Sequence, residues 1–148
     1  MRSWSYDHIV RDLLGEFMSK SLIENYFKHF NGGDVPTMLA LVDDNIEHDI
    51  NQGKTQTGKA KFESFLHHMN ECYKEDIADL VVFDSGNGKN FAAEFTVHGT
   101  YLKTDGSLPP AHNQKYTIRA GSFFEVKDNK VKRVTTYYNL PLWIDLVK

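Results

Sequence analysis

A mixed α+β fold, with helices packed on the concave face of a cone-shaped, curved antiparallel sheet, is what this sequence of 148 residues predicts. Three observations predict it. Through the first half, apolar residues recur at helical spacing. From "IADLVVFD" onward the spacing changes to alternation and stays so. Between the alternating runs stand turn-forming clusters, "SGNGK" and Lys127-Asp128-Asn129, that suit hairpins. A strongly bent sheet closed by helices leaves room for a pocket.

The elements follow in order. Tyr6, Ile9, Val10, Leu13, Leu14 and Phe17 repeat at helical spacing, which predicts an amphipathic N-terminal helical extension over residues 1–18. Met18, just before the core, leaves an upstream start open for part of it. Residues 19–148 form a single domain. Ser19 or Ser21 caps a second helix through Phe30, with Leu22, Ile23, Tyr26, Phe27 and Phe30 on one side. Asn31-Gly32-Gly33 tolerates positive φ and stops that helix, and Asp34 with Pro36 starts a short third one carrying Met38, Leu39, Leu41 and Val42. "NIEHDIN" reads as a short strand closed by the polar turn "QGKTQTG". A further helix runs from about Lys59 to Tyr73 on Phe62, Phe65, Leu66, Met69 and Tyr73. The alternating runs "IADLVVFD", "NFAAEFTVHGTYLK", "QKYTIRAGSFFEV" and "KVKRVTTYYNL" complete the sheet.

Composition narrows the function. Hydrophobic residues at 41% and charged residues at 25% are ordinary for a globular domain. A net charge of −3 gives no overall basic field for nucleic acid or anionic lipid. The single cysteine, Cys72, excludes an intrachain disulfide and a multi-cysteine zinc site. No stretch approaches the roughly 20 apolar residues of a membrane helix. Asp7, Arg11, Asp12 and Glu16 interrupt the start where a secretory signal needs an apolar run, so a cytoplasmic location is expected.

Two stretches carry a resemblance. "IENYFKHFNGGDVPTMLALVDDNIEHDI" combines a tyrosine in the first core helix, an Asn-x-Gly-Asp stop, an Asp-Asp and a short strand ending in aspartate. "FFEVKDNKVKRVTTYYNLPLW" is an aromatic-rich last hairpin. Together they resemble the ketosteroid isomerases and their SnoaL-like polyketide-cyclase relatives, of the nuclear transport factor 2-like, cystatin-like superfamily. The likeness covers Ser19 to Leu146.

The resemblance implies a small hydrophobic ligand pocket and, where members are catalytic, acid–base isomerisation or cyclisation of a carbonyl-bearing apolar substrate without a cofactor. Tyr26 matches the tyrosine that donates to the substrate oxygen, and Asp49 the carboxylate that moves the proton. The third isomerase residue, a neutral aspartic acid, falls at Ser122, or at Gly121 if the turn register slips; neither is acidic. Phe95, Val97, Ser122, Phe124, Thr136, Tyr138 and Trp143 are implied as pocket residues. A carboxylate in an apolar cavity becomes a usable base as desolvation raises its pKa, and a phenol aimed at the developing enolate oxygen stabilises it. On residue type alone, Tyr26 also fits a core tyrosine and Asp49 a turn or capping acid. The same scaffold also hosts non-catalytic binding or dimerisation modules.

The remaining polar residues divide by alternation. His48, next to Asp49, is expected on the opposite side of its strand, exposed or at a subunit contact, with pocket duty as the lesser alternative. Glu94, Thr96 and His98 are expected on the outer sheet face, where the families commonly form a homodimer. Glu63, His67 and Glu71 share a helix face that reads as solvated and charge-paired, so no metal site is expected. "LPPAHN", with His112, makes a long loop that either gates the pocket or stiffens its rim.

Overall fold

The computed structural model describes residues 6–50 and 53–148, with the side chains of residues 6–18 outside that description. The elements are α1 (Tyr6–Asn31), α2 (Val35–Ala40), β1 (Val42–Asp49), β2 (Thr55–Thr57), α3 (Lys59–Cys72), β3 (Tyr73–Asp84), β4 (Asn90–Tyr101), β5 (Gln114–Lys127), β6 (Lys130–Tyr138) and α4 (Leu140–Val147). The strands form one curved, unclosed six-stranded sheet in the order β2-β1-β6-β5-β4-β3. The fold is therefore α+β as expected.

α1 is continuous where two helices were expected. Ser19 and Ser21 sit inside it and cap nothing, because "MSKS" itself holds no glycine or proline to break the helical backbone. The apolar stripe expected on Tyr6, Ile9, Val10, Leu13, Leu14 and Phe17 lies outside the described side chains. From Ser19 onward, Leu22, Ile23, Tyr26 and Phe27 are buried as the periodicity requires.

The stop at Asn31-Gly32-Gly33 forms as the residues dictate. Gly33 adopts φ 61°, its N–H donates to the Phe30 carbonyl, and the Asp34 N–H reaches back to the His29 carbonyl. This is a Schellman ending, which needs a left-handed residue and favours glycine. Asp34 then caps α2, its Oδ1 accepting from the Thr37 N–H at 3.1 Å, with Pro36 in the first turn. Asn31 ties this corner to the sheet: its amide donates to the Ile77 carbonyl at 3.0 Å and accepts from the Ile77 N–H at 2.6 Å.

Further differences from the expected elements follow. Leu41 caps α2 and Val42 opens β1, so the third helix is shorter than its apolar pattern. Thr55, Gln56 and Thr57, expected in a turn, pair with Asp49, His48 and Glu47 as a short edge strand; Asn51 and Gln52, expected in the preceding strand and turn, lie outside the described residues. β1 joins β6 in parallel, so the sheet is a four-stranded antiparallel meander extended by one parallel pairing. β3 starts at Tyr73 with no loop after α3, four residues before the expected strand. α4 was not expected. Asn139 caps it, its side chain accepting from the Leu142 N–H at 3.1 Å, with Pro141 in the first turn.

The core lies between the helices and the concave face. Phe27 packs tilted on Phe95 and edge-on to Phe124, with centroids 4.9 and 5.7 Å apart. Trp143 of α4 packs edge-on against Tyr101 and Tyr116 at 5.0 and 5.7 Å. Such aromatic pairs each add about 1 kcal/mol beyond the area they bury. Among the described residues no helix is long and apolar enough to cross a membrane.

Candidate functional site

A cavity of about 1120 Å³ lies between the concave sheet face, α1, α3, α4 and the loop around Asp105–Leu108. Alternation on the strands decides what enters it. In register, His48 of β1 pairs with Val134 of β6, which pairs with Phe124 of β5. Val134 and Phe124 are buried at 2% and 0% exposure, so His48 shares the concave face. Asp49 pairs with Thr135, which pairs with Phe123, exposed on the convex face.

The inward and outward residues at this strand end are thus the reverse of the expectation. His48 is buried against Phe62 and Phe65, with ring centroids 5.4 and 4.3 Å away. Burial holds its pKa below the ordinary value, against the opposing pull of the Asp49 charge. Its Nδ1 is buried with no hydrogen-bond partner among the described residues. Asp49 borders the cavity, but its carboxylate is engaged elsewhere. Thr55 donates to Oδ1 and Thr135 to Oδ2, both at 2.6 Å, and Arg133 Nη1 stands 3.8 Å from Oδ2. These hydroxyl bonds hold the Asp49 pKa below the usual carboxylate range. The cause of the reversal is register: β1 docks in parallel on β6, and Val134 can fill the core only if His48 faces in beside it.

Tyr26 projects from α1 into the same cavity, edge-on to Phe27 and Phe124 at 5.4 and 5.3 Å. Burial raises its pKa, so the phenol keeps its proton. Phe124 lies two strands, about 10 Å, from His48 in the same row, so Tyr26 and His48 face one cavity from that row.

The other expected pocket residues are on the concave side. Phe95, Val97, Ser122, Thr136, Tyr138 and Trp143 line the cavity, and Phe124 is buried beneath Tyr26. The Ser122 and Thr136 hydroxyls are 2.7 Å apart and satisfy each other. No acid stands there.

Two groups escaped the sequence reading. Glu75 of β3 and Tyr116 of β5 face each other across Gly99 of β4, through the register Glu75–Gly99–Tyr116. A Cβ on Gly99 would lie 2.1 Å from Tyr116 Cζ, so the ring occupies the space over the glycine. The Tyr116 hydroxyl is buried without a hydrogen bond of good geometry, yet Glu75 stands close enough for the two groups to shift each other's pKa. Glu75 borders the cavity, and desolvation pushes its pKa up to about 7. The signal was the alternation Tyr73, Glu75, Ile77, which puts an acid in an inward row once the strand is begun at Tyr73.

Near this end, Asp105 accepts from the Tyr73 hydroxyl at 2.6 Å and pairs with His68 Nε2 at 2.8 Å. With Cys72, this pair is the one group among the described residues whose donor atoms could hold a metal, all within 4.8 Å of one another. The donor set is already satisfied without one: His68 and Asp105 bond each other, and burial keeps the Cys72 thiol protonated. The face of Glu63, His67 and Glu71 is solvated, with Glu63 beside His67 at 3.7 Å and Glu71 paired to Lys103. The "LPPAHN" loop contributes Leu108 to the cavity wall, while His112 is exposed.

Comparison with known proteins agrees with this architecture. Three solved structures described as candidate polyketide cyclases are similar to the chain. The one from Pseudomonas putida KT2440 is 48% identical, over 88% of this chain and 98% of that one, with a TM-score of 0.86. The one from Xanthomonas campestris pv. campestris is 42% identical, over 90% and 99%, with a TM-score of 0.87. The one from Silicibacter sp. TM1040 is 46% identical, over 88% and 95%, with a TM-score of 0.86. No curated protein matches the chain. The family model of the SnoaL-like domain matches residues 23–134, from the core part of α1 to the inward Val134 of β6. With that span covered, this chain belongs to the SnoaL-like family.

Proposed function

We propose that the protein binds a carbonyl-bearing apolar small molecule in its cavity and moves a proton on it, in an isomerisation or cyclisation. Family membership and the similar candidate polyketide cyclases support a role of that type. The observation that carries the reading is the inward His48, buried, held uncharged and with an unpartnered nitrogen, in the cavity that also receives the Tyr26 phenol.

The roles follow from the chemistry. A carbon next to a carbonyl loses its proton to a neutral imidazole, and negative charge grows on the carbonyl oxygen. Tyr26, which keeps its proton, donates to that oxygen. Asp49 acts through His48: its fixed charge favours the imidazolium that forms, as its upward pull on the His48 pKa indicates. The imidazolium then returns the proton to a different carbon. Asp49, expected as the base itself, becomes in this proposal a positioning and charge-balancing group.

The test is proton exchange in deuterium oxide at the carbon next to the carbonyl of 4-acetylbiphenyl, followed by NMR. The protein should accelerate exchange, with a loss on the order of 100-fold in His48→Gln and a smaller loss in Tyr26→Phe. Exchange at the buffer rate with bound ketone, or unchanged rates in both variants, contradicts catalysis.

A second reading, ligand binding without chemistry, is favoured by the Ser122–Thr136 pair that stands where the resemblance implies an acid. That outcome would leave binding intact and exchange at the buffer rate. On the convex face, Val81, Phe83, Phe123 and Tyr137 are exposed at 49, 51, 50 and 56%. This apolar surface supports a homodimer through the outer sheet.

A further inference from the structure

The cavity is large for a molecule held at one end. At the end away from Tyr26 and His48, Phe30, Met69, Tyr73 and Glu75 meet around a small crevice. One helical turn of α1 separates Tyr26 from Phe30, and one turn of α3 separates Phe65, which touches His48, from Met69. Each helix therefore advances by about 5.4 Å between the two ends. Between them the lining is apolar: Phe27, Ile77, Phe95, Val97 and Ile118.

The far end is built for a ligand oxygen. Gly99 leaves the concave face bare, and Tyr116 lies across it toward Glu75. Tyr116 is 6% exposed, and its hydroxyl makes no hydrogen bond of good geometry, with the Glu75 carboxylate and the Trp143 indole as its polar neighbours. A buried hydroxyl without a well-formed hydrogen bond is destabilising, and a ligand hydrogen bond relieves that. The groups facing Glu75 are phenols from three strands, Tyr73, Tyr116 and Tyr138, the Trp143 indole of α4, and, farther, the Asp105 carboxylate already held by Tyr73 and His68. No cation is among them.

We propose that Glu75 and Tyr116, meeting over the bare position at Gly99, form a second polar subsite that hydrogen-bonds a hydroxyl at the far end of an elongated, rigid hydroxyketone. This deepens the proposed function and rests on it, since the ketone end lies at Tyr26 and His48. Glu75 accepts from the ligand hydroxyl and Tyr116 donates to it, so both groups are satisfied at once. A carboxyl kept near neutrality by burial adds a second mode, donating to the same oxygen.

The test uses three rigid probes with the full-length protein: 4-acetyl-4′-hydroxybiphenyl, 4-acetylbiphenyl and 4-hydroxybiphenyl, with Kd measured by calorimetry. The hydroxyketone should bind at least 10-fold more tightly than 4-acetylbiphenyl. Glu75→Leu and Tyr116→Phe should each bring the ratio of the two dissociation constants close to one. If 4-acetylbiphenyl binds but the hydroxyl adds nothing, or the advantage survives both substitutions, the subsite is refuted and the proposed function stands. If neither ketone binds, the proposed function fails, and the subsite with it.

Discussion

The ring of Tyr116 lies directly over Gly99, where an added Cβ would stand 2.1 Å from Cζ and 2.4 Å from the hydroxyl oxygen. The glycine is needed for space. This contact fixes which side of the cavity receives the Tyr116 hydroxyl, and with it the company of Glu75.

Gly99→Ala should therefore expel the Tyr116 ring and destabilise the protein by about 1–3 kcal/mol, the usual cost of overpacking a core. Urea denaturation of the single variant and of Gly99→Ala with Tyr116→Ala checks the cause. The double variant should recover part of what the glycine change loses beyond the loss from Tyr116→Ala alone. Simple additivity would contradict the contact.

Glu75 gives the protein a pH dependence of definite sign. Its folded pKa, about 7, is above the ordinary 4.5, so the fold prefers the protonated carboxyl. Its contribution is fully present below pH 4.5 and is lost as pH rises through 7. The displacement corresponds to roughly 2–3 kcal/mol after allowing for its border with the cavity. Glu75→Gln should leave stability near pH 4 little changed and raise it at pH 8, measured as the difference in unfolding free energy from wild type.

Asp49 acts in the opposite direction. Hydrogen bonds from Thr135 and Thr55 lower its pKa, so its contribution is present above about pH 4 and fades as pH falls through the lowered value. Thr135→Val removes one of those bonds from a buried hydroxyl and should raise the Asp49 pKa, read by carboxyl NMR. An unchanged pKa would show that the hydroxyl does not set it.

Much of the fold was legible because periodicity and stop signals were local. The Asn31-Gly32-Gly33-Asp34 corner could be read whole: each residue there answers to its own backbone demand. The facing of β1 could not. Whether His48 or Asp49 turns inward is decided by its pairing with β6, more than 80 residues away in sequence, and a shift of one residue exchanges the two faces. Glu75 was hidden by a boundary. Once Tyr73 is taken as the last residue of α3, the acid two positions later has no strand face to be assigned to. α4 had its signal in "NLPLW", an asparagine cap with proline in the first turn, but only eight residues follow for a period to show.

The exposed convex residues predict assembly. Phe123 and Tyr137 pack edge-on at 5.9 Å, with Phe83 in the same cross-sheet row as Phe123. Phe123→Lys should convert a dimer to a monomer in analytical ultracentrifugation while leaving 4-acetylbiphenyl affinity unchanged. A wild-type monomer at all concentrations would contradict a homodimer through this face.

His48 stands uncharged inside the cavity, and imidazole NMR across pH measures that. His48 should titrate below the ordinary 6.5, lower still in Asp49→Asn, and its ring signals should move when 4-acetylbiphenyl is added. Titration at or above 6.5 with signals indifferent to the ketone would contradict it.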